Sequence, residues 1–503
     1  MEPTDRTAIT LDRLLLLAAA AIVALTLVAR LGMTRSYDLS LSGEEQNVVH
    51  GILKMGLGTP LYTDPERAPF DVIQYTPGFY YLVTGIRMTM GTDAADPRTA
   101  YLLARSAGLV LNLLFAVMAF VLARRLGSGP GMAALWAAVL FSQLPRQVLS
   151  RPDALHLALF AASMLFFFDA LVHEGARKRS GLAWAVVVAC CAVLAKQSGA
   201  LALFIIGGHL LLTRQWALFA RQVLIGAAVL LPAFGLLAWH YDGQVLFKNI
   251  VTGIQNGPHA SIWTWVDQNV RPAPRMIAQL IGIVLAVRMV RTGDERHKAL
   301  GTGIILSWAF AVFTTMKHGS SPGYHSENLF LLAALMPTLR PWATGRKAPY
   351  AQAALVLLAL SIVRYDRLLS GAAGARGLLR PVPESAAYRD ARAMAAEFRS
   401  DRDLREGLVF LTAHDHLEHF LIGRSAATQK DIVCLATSRA HYDFGRLSRA
   451  MANGDIRIIL SRDTVDVLPF FGNSHPPLRA LGVRHGYHLY VNTAAEAGTR
   501  PGQ

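Results

Sequence analysis

Long blocks of apolar residues, separated by short polar connections, run from the N-terminus to Val363. A hydrocarbon core needs about 20 apolar residues per helix, so blocks of this length predict membrane-spanning helices. About eleven segments qualify: residues 14–31, 100–123, 130–146, 153–172, 181–195, 198–213, 219–240, 274–290, 299–316, 324–339 and 349–363. Residues 77–91 are also apolar, but they contain Arg87, and we interpret them as a helix lying in the outer membrane interface.

Basic residues between the apolar segments set the predicted topology. If the N-terminus is cytoplasmic, the clusters Arg124-Arg125, Arg177-Lys178-Arg179 and residues 288–298 all fall on the inner side, as the positive-inside rule requires. The net charge of +15 is therefore explained by topology and by contact with anionic lipid, and we expect no nucleic-acid partner. The sequence predicts an integral protein of the bacterial inner (plasma) membrane, anchored by an uncleaved first span.

The composition changes after Val363, where Arg, Asp, Gly and Pro become frequent. An odd number of spans places residues 364–503 outside the cytoplasm. Alternating strand-like and helical patterns predict a small α/β domain there. The predicted strands are 408–412, 432–435, 456–460 and 487–491, and the predicted helices are 384–398 and 442–452. The expected fold class is thus a polytopic α-helical membrane domain, residues 1–363 with an external loop at 32–98, followed by an extracytoplasmic α/β domain.

Polar residues border the apolar segments mainly at the predicted outer face. Ionisable groups at membrane depth indicate function, although each one alone is explained equally well as an anchor at a helix end. Asp153 follows Pro152 at a helix start and complements the helix dipole there, whereas His156 has no such explanation. The stretch 317–328 combines a lysine with a glycine-containing turn, a pattern used to bind phosphate. The candidate binding residues on these segments are Arg151, Asp153, His156, Lys196, Gln197, Lys317, His318, Tyr324, His325 and Glu327.

Two adjacent carboxylates, Glu44 and Glu45, follow the first span at the start of the external loop. Neighbouring carboxylates repel each other, so one of them has a raised pKa unless a cation or metal ion compensates. A carboxylate of that kind serves as a general base near neutral pH. A solvated acidic turn is the alternative interpretation of the pair. The same loop supplies Tyr62, Arg67 and Tyr75 as further candidates for substrate binding.

The stretch 414–419 of the distal domain, His-Asp-His-Leu-Glu-His, is rich in potential metal ligands. Its spacing matches no closed ligand set. The favoured interpretation is a helix start capped by Asp415, with solvated histidines. No cofactor is indicated with certainty, and a divalent metal ion stays an open alternative.

The order of these motifs resembles the GT-C superfamily of membrane glycosyltransferases, near the protein O-mannosyltransferases and the lipid A aminoarabinose transferases. The resemblance covers roughly residues 12–363 and is carried by the acidic pair followed by residues 56–62, 75–81, Arg151-Pro152-Asp153 and Lys196-Gln197. It implies a polyprenyl-phosphate-linked sugar donor, transfer on the outer face and an acidic catalytic base, which corresponds to Glu44. The family usually has Asp-Glu where this chain has Glu44-Glu45, so which carboxylate is the base stays open.

The predicted reaction is therefore transfer of a sugar from a polyprenyl phosphate to an acceptor hydroxyl, with inversion at the anomeric carbon. The leaving phosphate needs cationic stabilisation, for which Arg151, Lys196 and Lys317 are candidates. The distal domain and the loop containing Trp263 and Trp265 are expected to select the acceptor, a glycan, lipid or protein. A secondary transporter or lipid flippase is the alternative function. No repeated halves of the kind seen in transporters are visible in the sequence.

Overall fold

The computed structural model describes most of the chain. The residues described are 3–39, 45–144, 149–255, 257–258, 261–317, 319–342, 348–374, 380–401, 404, 407–412, 415–426, 442–443, 445–462 and 477–495. Glu44, His318 and His414 therefore lie outside the described residues, as does the predicted strand 432–435.

Helices dominate the described residues. In chain order they are α1 (Pro3–Arg35), α2 (Glu45–Gly56), α3 (Gly78–Thr89), α4 (Pro97–Arg125), α5 (Pro130–Gln143), α6 (Pro152–Ala170), α7 (Gly175–Ala195), α8 (Ala200–Leu212), α9 (Trp216–Tyr241), α10 (Gly243–Ile250), α11 (Ile262–Asn269), α12 (Ala273–Thr292), α13 (Glu295–Thr315), α14 (Ser326–Leu335), α15 (Ala348–Ile362), α16 (Tyr365–Gly374) and α17 (Ala386–Ser400), followed by the short helices Leu417–Phe420 and Gly445–Ala452. Turns of 3₁₀ helix precede α8 at Gln197–Gly199 and precede α14 at Pro322–His325.

Each predicted apolar segment contains a helix, and the chain is an integral membrane protein. Among the described residues, seven helices are long and apolar enough to cross a membrane: α1 from Leu11, α4, α6, α7, α9, α12 and α13. The segments 130–146, 198–213, 324–339 and 349–363 form the shorter helices α5, α8, α14 and α15. The predicted total of about eleven spans is therefore not confirmed, because these four are shorter than the usual spanning length of about 20 residues. Residues 77–91 form α3, of 12 residues, and its interfacial position stays a prediction.

The described residues divide into two compact units. The first comprises residues 1–35, 105–233 and 258–381. Among its described residues, most of the long helices contribute to one large apolar cluster. This cluster includes Phe115, Phe160 and Phe330, which are completely buried. Phe330 stacks on Phe115 at a centroid distance of 5.1 Å and meets the edge of Phe160 at 5.9 Å. These aromatic contacts hold α4, α6 and α14 together.

The second unit comprises residues 36–104, 234–257 and 382–503. It contains a five-stranded sheet in the order β2-β1-β3-β5-β4. The strands are β1 (Leu408–Leu411), β2 (Ser425–Ala426), β3 (Ile456–Ser461), β4 (Leu478–Arg484) and β5 (Tyr487–Asn492). β1 runs parallel to β2 and β3, while β5 runs antiparallel to β3 and β4. Ile458 and Leu460 of β3 belong to one apolar cluster, and Ile459 belongs to a second one on the opposite face, so both faces of the sheet are covered. Ile456 also belongs to the second cluster, because the register between β1 and β3 shifts between Ile456 and Ile458.

The sequence predicts this sheet in part. The predicted strands 408–412, 456–460 and 487–491 correspond to β1, β3 and β5, and the predicted helices correspond to α17 and Gly445–Ala452. β4 was not predicted, because most of its residues are exposed or half-buried and it lacks a run of β-branched side chains. The same compact unit also includes residues 36–104 of the predicted external loop and residues 234–257.

Candidate functional site

The helix that begins at the acidic pair, α2, is buried along most of its length although it carries many polar residues. Its first ten residues are all buried, including Glu45, Gln46, Asn47, His50 and Lys54. Glu45, the first residue of the helix, is completely buried. A carboxylate at this end is favoured by the helix dipole, which offsets part of the cost of burial. Its predicted partner in catalysis, Glu44, precedes it directly in the chain.

A buried ion pair anchors the other end of α2. Lys54 pairs with Asp71, which also accepts a hydrogen bond from Thr63, and Lys54 Nζ donates to Thr63 Oγ1 at 3.2 Å. The Lys54 and Asp71 side chains are only 2% and 1% exposed. Burial opposes ionisation of Asp71, but Lys54 and the neighbouring His50 outweigh it and hold the pKa of this carboxyl well below its usual range.

His50 extends this polar cluster towards the sheet-containing part of the same unit. His50 Nε2 lies 3.6 Å from Asp71 Oδ2, and His50 Nδ1 lies 4.0 Å from Glu418 Oε1. Next to Glu418, His419 Nε2 is 3.0 Å from the hydroxyl of Tyr101. We call Lys54, Asp71, Thr63, His50, Glu418, His419 and Tyr101 the α2 cluster. It fixes the helix whose first residue is Glu45.

The motif 414–419 is in part as predicted. A helix begins at Leu417, and Asp415 Oδ1 accepts a hydrogen bond from the Leu417 amide, as expected of a cap. The expectation of solvated histidines is wrong, because His416 and His419 are buried. Within the described ranges, no group of three or more His, Cys, Asp or Glu side chains is arranged to hold a metal ion.

The remaining candidates on the first loop differ in exposure. Tyr62 is buried, donates its hydroxyl to the Tyr75 carbonyl at 2.7 Å and packs edge-on against Tyr241. Tyr75 is buried as well. Arg67 is exposed and makes a loose contact of 3.3 Å with Asp64. Tyr62 and Tyr75 thus have a structural role in shaping the loop, whereas the Arg67 guanidinium is accessible to solutes.

In the first unit, the structure brings together the cations predicted at the start of α6 and at the break between α7 and α8. The backbone of Arg151 is extended, and Pro152 is the first residue of α6. This change of backbone direction places the Asp153 side chain near that of Arg151. Arg151 Nε lies 3.3 Å from Asp153 Oδ2, and Lys196 Nζ donates to Asp153 Oδ1 at 2.5 Å. All three side chains are at least 85% buried.

The close approach of α7 and α8 depends on a glycine. Lys196 is extended at the end of α7, and the chain then turns through Gln197–Gly199 into α8. A Cβ atom on Gly199 would lie 2.3 Å from the Ala192 carbonyl oxygen, so a larger residue would force the turn open. The sequence motif Lys196-Gln197 therefore marks a real break between two helices, and the break places the Lys196 ammonium beside Asp153.

The segment that follows α13 adds a further cation and an aromatic ring. Lys196 Nζ lies 5.1 Å from the centre of the Tyr324 ring, a cation–π contact. Lys317 is held by an isolated β-bridge with Pro258. Its own burial, together with the nearby charge of Lys196, lowers the pKa of Lys317 to about 8. We call Arg151, Asp153, Lys196, Lys317 and Tyr324 the cation cluster.

Two further histidines that were predicted for the site, His156 and His325, are buried. His156 Nε2 is 3.2 Å from Glu327 Oε1, and both side chains are almost completely buried. His325 instead belongs to an amide network: Gln279 Nε2 donates to His325 Nδ1 at 2.9 Å, and His325 Nε2 donates to Asn269 Oδ1 at 2.8 Å. Sequence reasoning missed Gln279 and Asn269, because single amides within apolar helices have no characteristic spacing. This network joins α11, α12 and the turn before α14.

Comparison with known proteins identifies the fold. No family model matches the sequence, and no curated protein matches it. Among solved structures, apo ArnT from Cupriavidus metallidurans is similar with a TM-score of 0.60 and 13% identity, over 95% of this chain and 98% of that chain. ArnT bound to undecaprenyl phosphate gives a TM-score of 0.57 and 15% identity, over 95% and 98%. The apo oligosaccharyltransferase of Archaeoglobus fulgidus gives 0.57 and 10%, over 88% of this chain and 69% of that chain. The predicted GT-C-like fold is confirmed.

Proposed function

We propose that this protein is a membrane glycosyltransferase that moves a sugar from a polyprenyl phosphate to an acceptor hydroxyl. The fold supports the proposal, since the similar ArnT structure has been solved with undecaprenyl phosphate bound to that protein. At such low identity the fold alone does not assign an activity. The residues of this chain have to carry the argument.

The observation that carries the proposal is the charge of the cation cluster. Arg151 and Lys196 share the single carboxylate of Asp153, and Lys317 adds a third positive charge close to Lys196. Among the described residues of the cluster, three cations therefore accompany one carboxylate at the end of an apolar helix bundle. Such an arrangement suits an anion attached to a hydrocarbon chain, and the guanidinium and ammonium groups match phosphate oxygens. A polyprenyl phosphate has this chemistry.

The same charges stabilise the reaction itself. As the glycosidic C–O bond to the phosphate breaks, negative charge develops on the leaving phosphate oxygen, and the cations stabilise that charge. Glu44 takes the proton of the acceptor hydroxyl, whose oxygen attacks the anomeric carbon from the opposite side. One C–O bond forms and one breaks, so the anomeric configuration inverts. In this proposal the α2 cluster holds the helix that directly follows Glu44.

Donor binding and turnover test the proposal in purified protein. Undecaprenyl phosphate linked to each of a panel of labelled sugars is offered as donor, and affinity is measured for the wild type, Arg151→Gln and Lys317→Gln. A charged hydrogen bond to phosphate is worth roughly 1.5–3 kcal/mol, so affinity should fall about ten- to hundredfold. The matched control is Arg125→Gln, because Arg125 makes an exposed pair with Asp169 at the other end of α6.

Equal donor affinity in wild type, Arg151→Gln and Lys317→Gln would remove the cation cluster from the donor site. Donor binding without any sugar transfer, combined with movement of the lipid across a vesicle membrane, would instead favour the flippase alternative. We expect transfer without such movement.

A further inference from the structure

The second unit contains an open cleft of about 420 Å³ between residues 66–70 and the helix Gly445–Ala452. Phe70, Leu408 and Ala450 give it apolar lining. Phe70 and Ala450 also belong to the hydrophobic cluster on one face of the sheet, together with Ile459. The two walls of the cleft are therefore packed against the same core, which keeps the cleft in shape.

Arginine side chains line the cleft on both sides. Arg446 and Arg449 are three residues apart on one helix and so lie on the same face, while Arg67 lines the opposite wall. Within the described part of the chain, Arg446 and Arg449 form no ion pair. Arg67 contacts only Asp64, at 3.3 Å in an exposed geometry that water weakens. The guanidinium groups are therefore available to bind an anion.

The acidic residues of the cleft offset these charges only in part. Glu66 is engaged elsewhere: Lys248 Nζ lies 2.6 Å from Glu66 Oε2, and the Asp443 amide donates to Glu66 Oε1 at 2.9 Å. Lys248 also pairs with Asp64 at 3.0 Å, which further weakens the hold of Asp64 on Arg67. Among the described residues that line the cleft, only the carboxylate of Asp455 is left to oppose the arginines.

We infer that this cleft binds the acceptor, and that the acceptor carries phosphate or carboxylate groups on a sugar or lipid skeleton. The inference rests on the proposed glycosyltransferase function and names the class of its second substrate. Planar guanidinium groups pair with two oxygens of a phosphate or carboxylate at once. The apolar lining packs against the carbon skeleton that carries the anion. A neutral acceptor would leave the arginines without a partner.

Anion binding by the cleft is measured first, without any transfer reaction. Inorganic pyrophosphate is titrated by calorimetry into full-length protein at constant ionic strength. Every protein compared carries Lys317→Gln, so that binding at the cation cluster is weakened equally. Adding Arg446→Gln and Arg449→Gln together should weaken pyrophosphate binding at least about tenfold, because one or more charged hydrogen bonds are lost.

The matched control for this titration is Arg392→Gln. Arg392 is an exposed arginine of the same unit that pairs with Glu384 at 2.8 Å and does not line the cleft. Its replacement should leave pyrophosphate binding unchanged. Equal affinities in the Arg446→Gln/Arg449→Gln protein and its parent would overturn the inference, whatever the protein catalyses.

The acceptor is then tested with pairs of glycolipids that differ only in a phosphate or only in a carboxylate group. Wild-type protein should prefer the anionic member of a pair, and Arg446→Gln/Arg449→Gln should lose the preference as the KM for that acceptor rises roughly tenfold. Donor affinity should stay unchanged in the same variant.

The outcomes separate this inference from the proposed function. Equal use of charged and neutral acceptors by the wild type refutes an anionic acceptor but leaves glycosyl transfer intact. Failure of the wild type to consume any polyprenyl-phosphate sugar refutes the proposed function, and the acceptor role with it. If pyrophosphate binding is nevertheless lost in Arg446→Gln/Arg449→Gln, the cleft binds anions but is not an acceptor site.

Discussion

The buried pair of Lys54 and Asp71 gives the sharpest test of how the first loop is held. Lys54→Met keeps most of the length of the side chain but removes the ammonium, and so leaves Asp71 buried without its main counter-charge. Breaking one side of a buried pair costs about 3–5 kcal/mol. We expect the lower end of this range, because Thr63 still donates to Asp71 and His50 Nε2 lies 3.6 Å from it.

Hydrogen exchange of the backbone amides of α2 measures this loss directly. A destabilisation of about 3 kcal/mol corresponds to exchange roughly a hundredfold faster, at 1.4 kcal/mol per factor of ten. The double variant Lys54→Met/Asp71→Leu should recover most of the protection, since an apolar pair replaces the ionic one. Arg364→Met is the control, because its pair with Asp366 is exposed and is worth at most about 1 kcal/mol.

The pair also sets a dependence on pH. The folded-state pKa of Asp71 is lowered despite its burial, so its contribution to stability is complete above the unfolded value of about 3.9 and is lost as the pH falls below that value. In Lys54→Met, burial acts on Asp71 without the lysine, so its pKa should be higher than in the wild type. Unchanged amide exchange in Lys54→Met, or the same loss in Arg364→Met, would refute this reasoning.

Further predictions concern catalysis, pH and topology. Glu44→Gln should lower turnover about 10²- to 10⁴-fold with donor binding nearly intact, as expected for loss of a general base. Glu45→Gln should mainly weaken α2, measured by the same amide exchange; collapse of turnover only in Glu45→Gln would exchange the two roles. Because the pKa of Lys317 is lowered to about 8, donor affinity should fall as the pH rises through that value, and Lys317→Arg should remove this fall; a pH-independent wild type would contradict it. Reporter fusions at Gly371 and Gly502 should both signal from outside the cytoplasm, and cytoplasmic signals from both would overturn the predicted topology.

Sequence patterns were informative where one physical effect dominates. The apolar blocks predicted the positions of the long helices, because partitioning into a membrane depends mainly on composition. Arg151-Pro152-Asp153 predicted the start of α6, since proline and an acidic residue both favour the first turn of a helix. Lys196-Gln197 predicted a break between apolar segments, and the structure has one there.

Patterns failed where distant parts of the chain decide the outcome. His50 and Lys54 on α2 are polar, yet both are buried, because Asp71 and Glu418 supply partners from other segments. Buried His416 and His419 were expected in solvent for the same reason. Residue spacing within one segment carries no information about which segment packs against it.

The sharing of Asp153 between Arg151 and Lys196 has a consequence for the catalytic cycle. In the proposed reaction, Asp153 is the counter-ion of the empty site, and an incoming phosphate competes with it for the same cations. We therefore expect Asp153 to lower the affinity for the donor and for the released polyprenyl phosphate together, so that the released carrier stays bound for a shorter time. An Asp153→Asn variant should hold polyprenyl phosphate more tightly and turn over more slowly, with product release in place of chemistry as the slow step. In this proposal, the Asp153 carboxylate limits product inhibition at a site whose cations would otherwise retain the leaving phosphate.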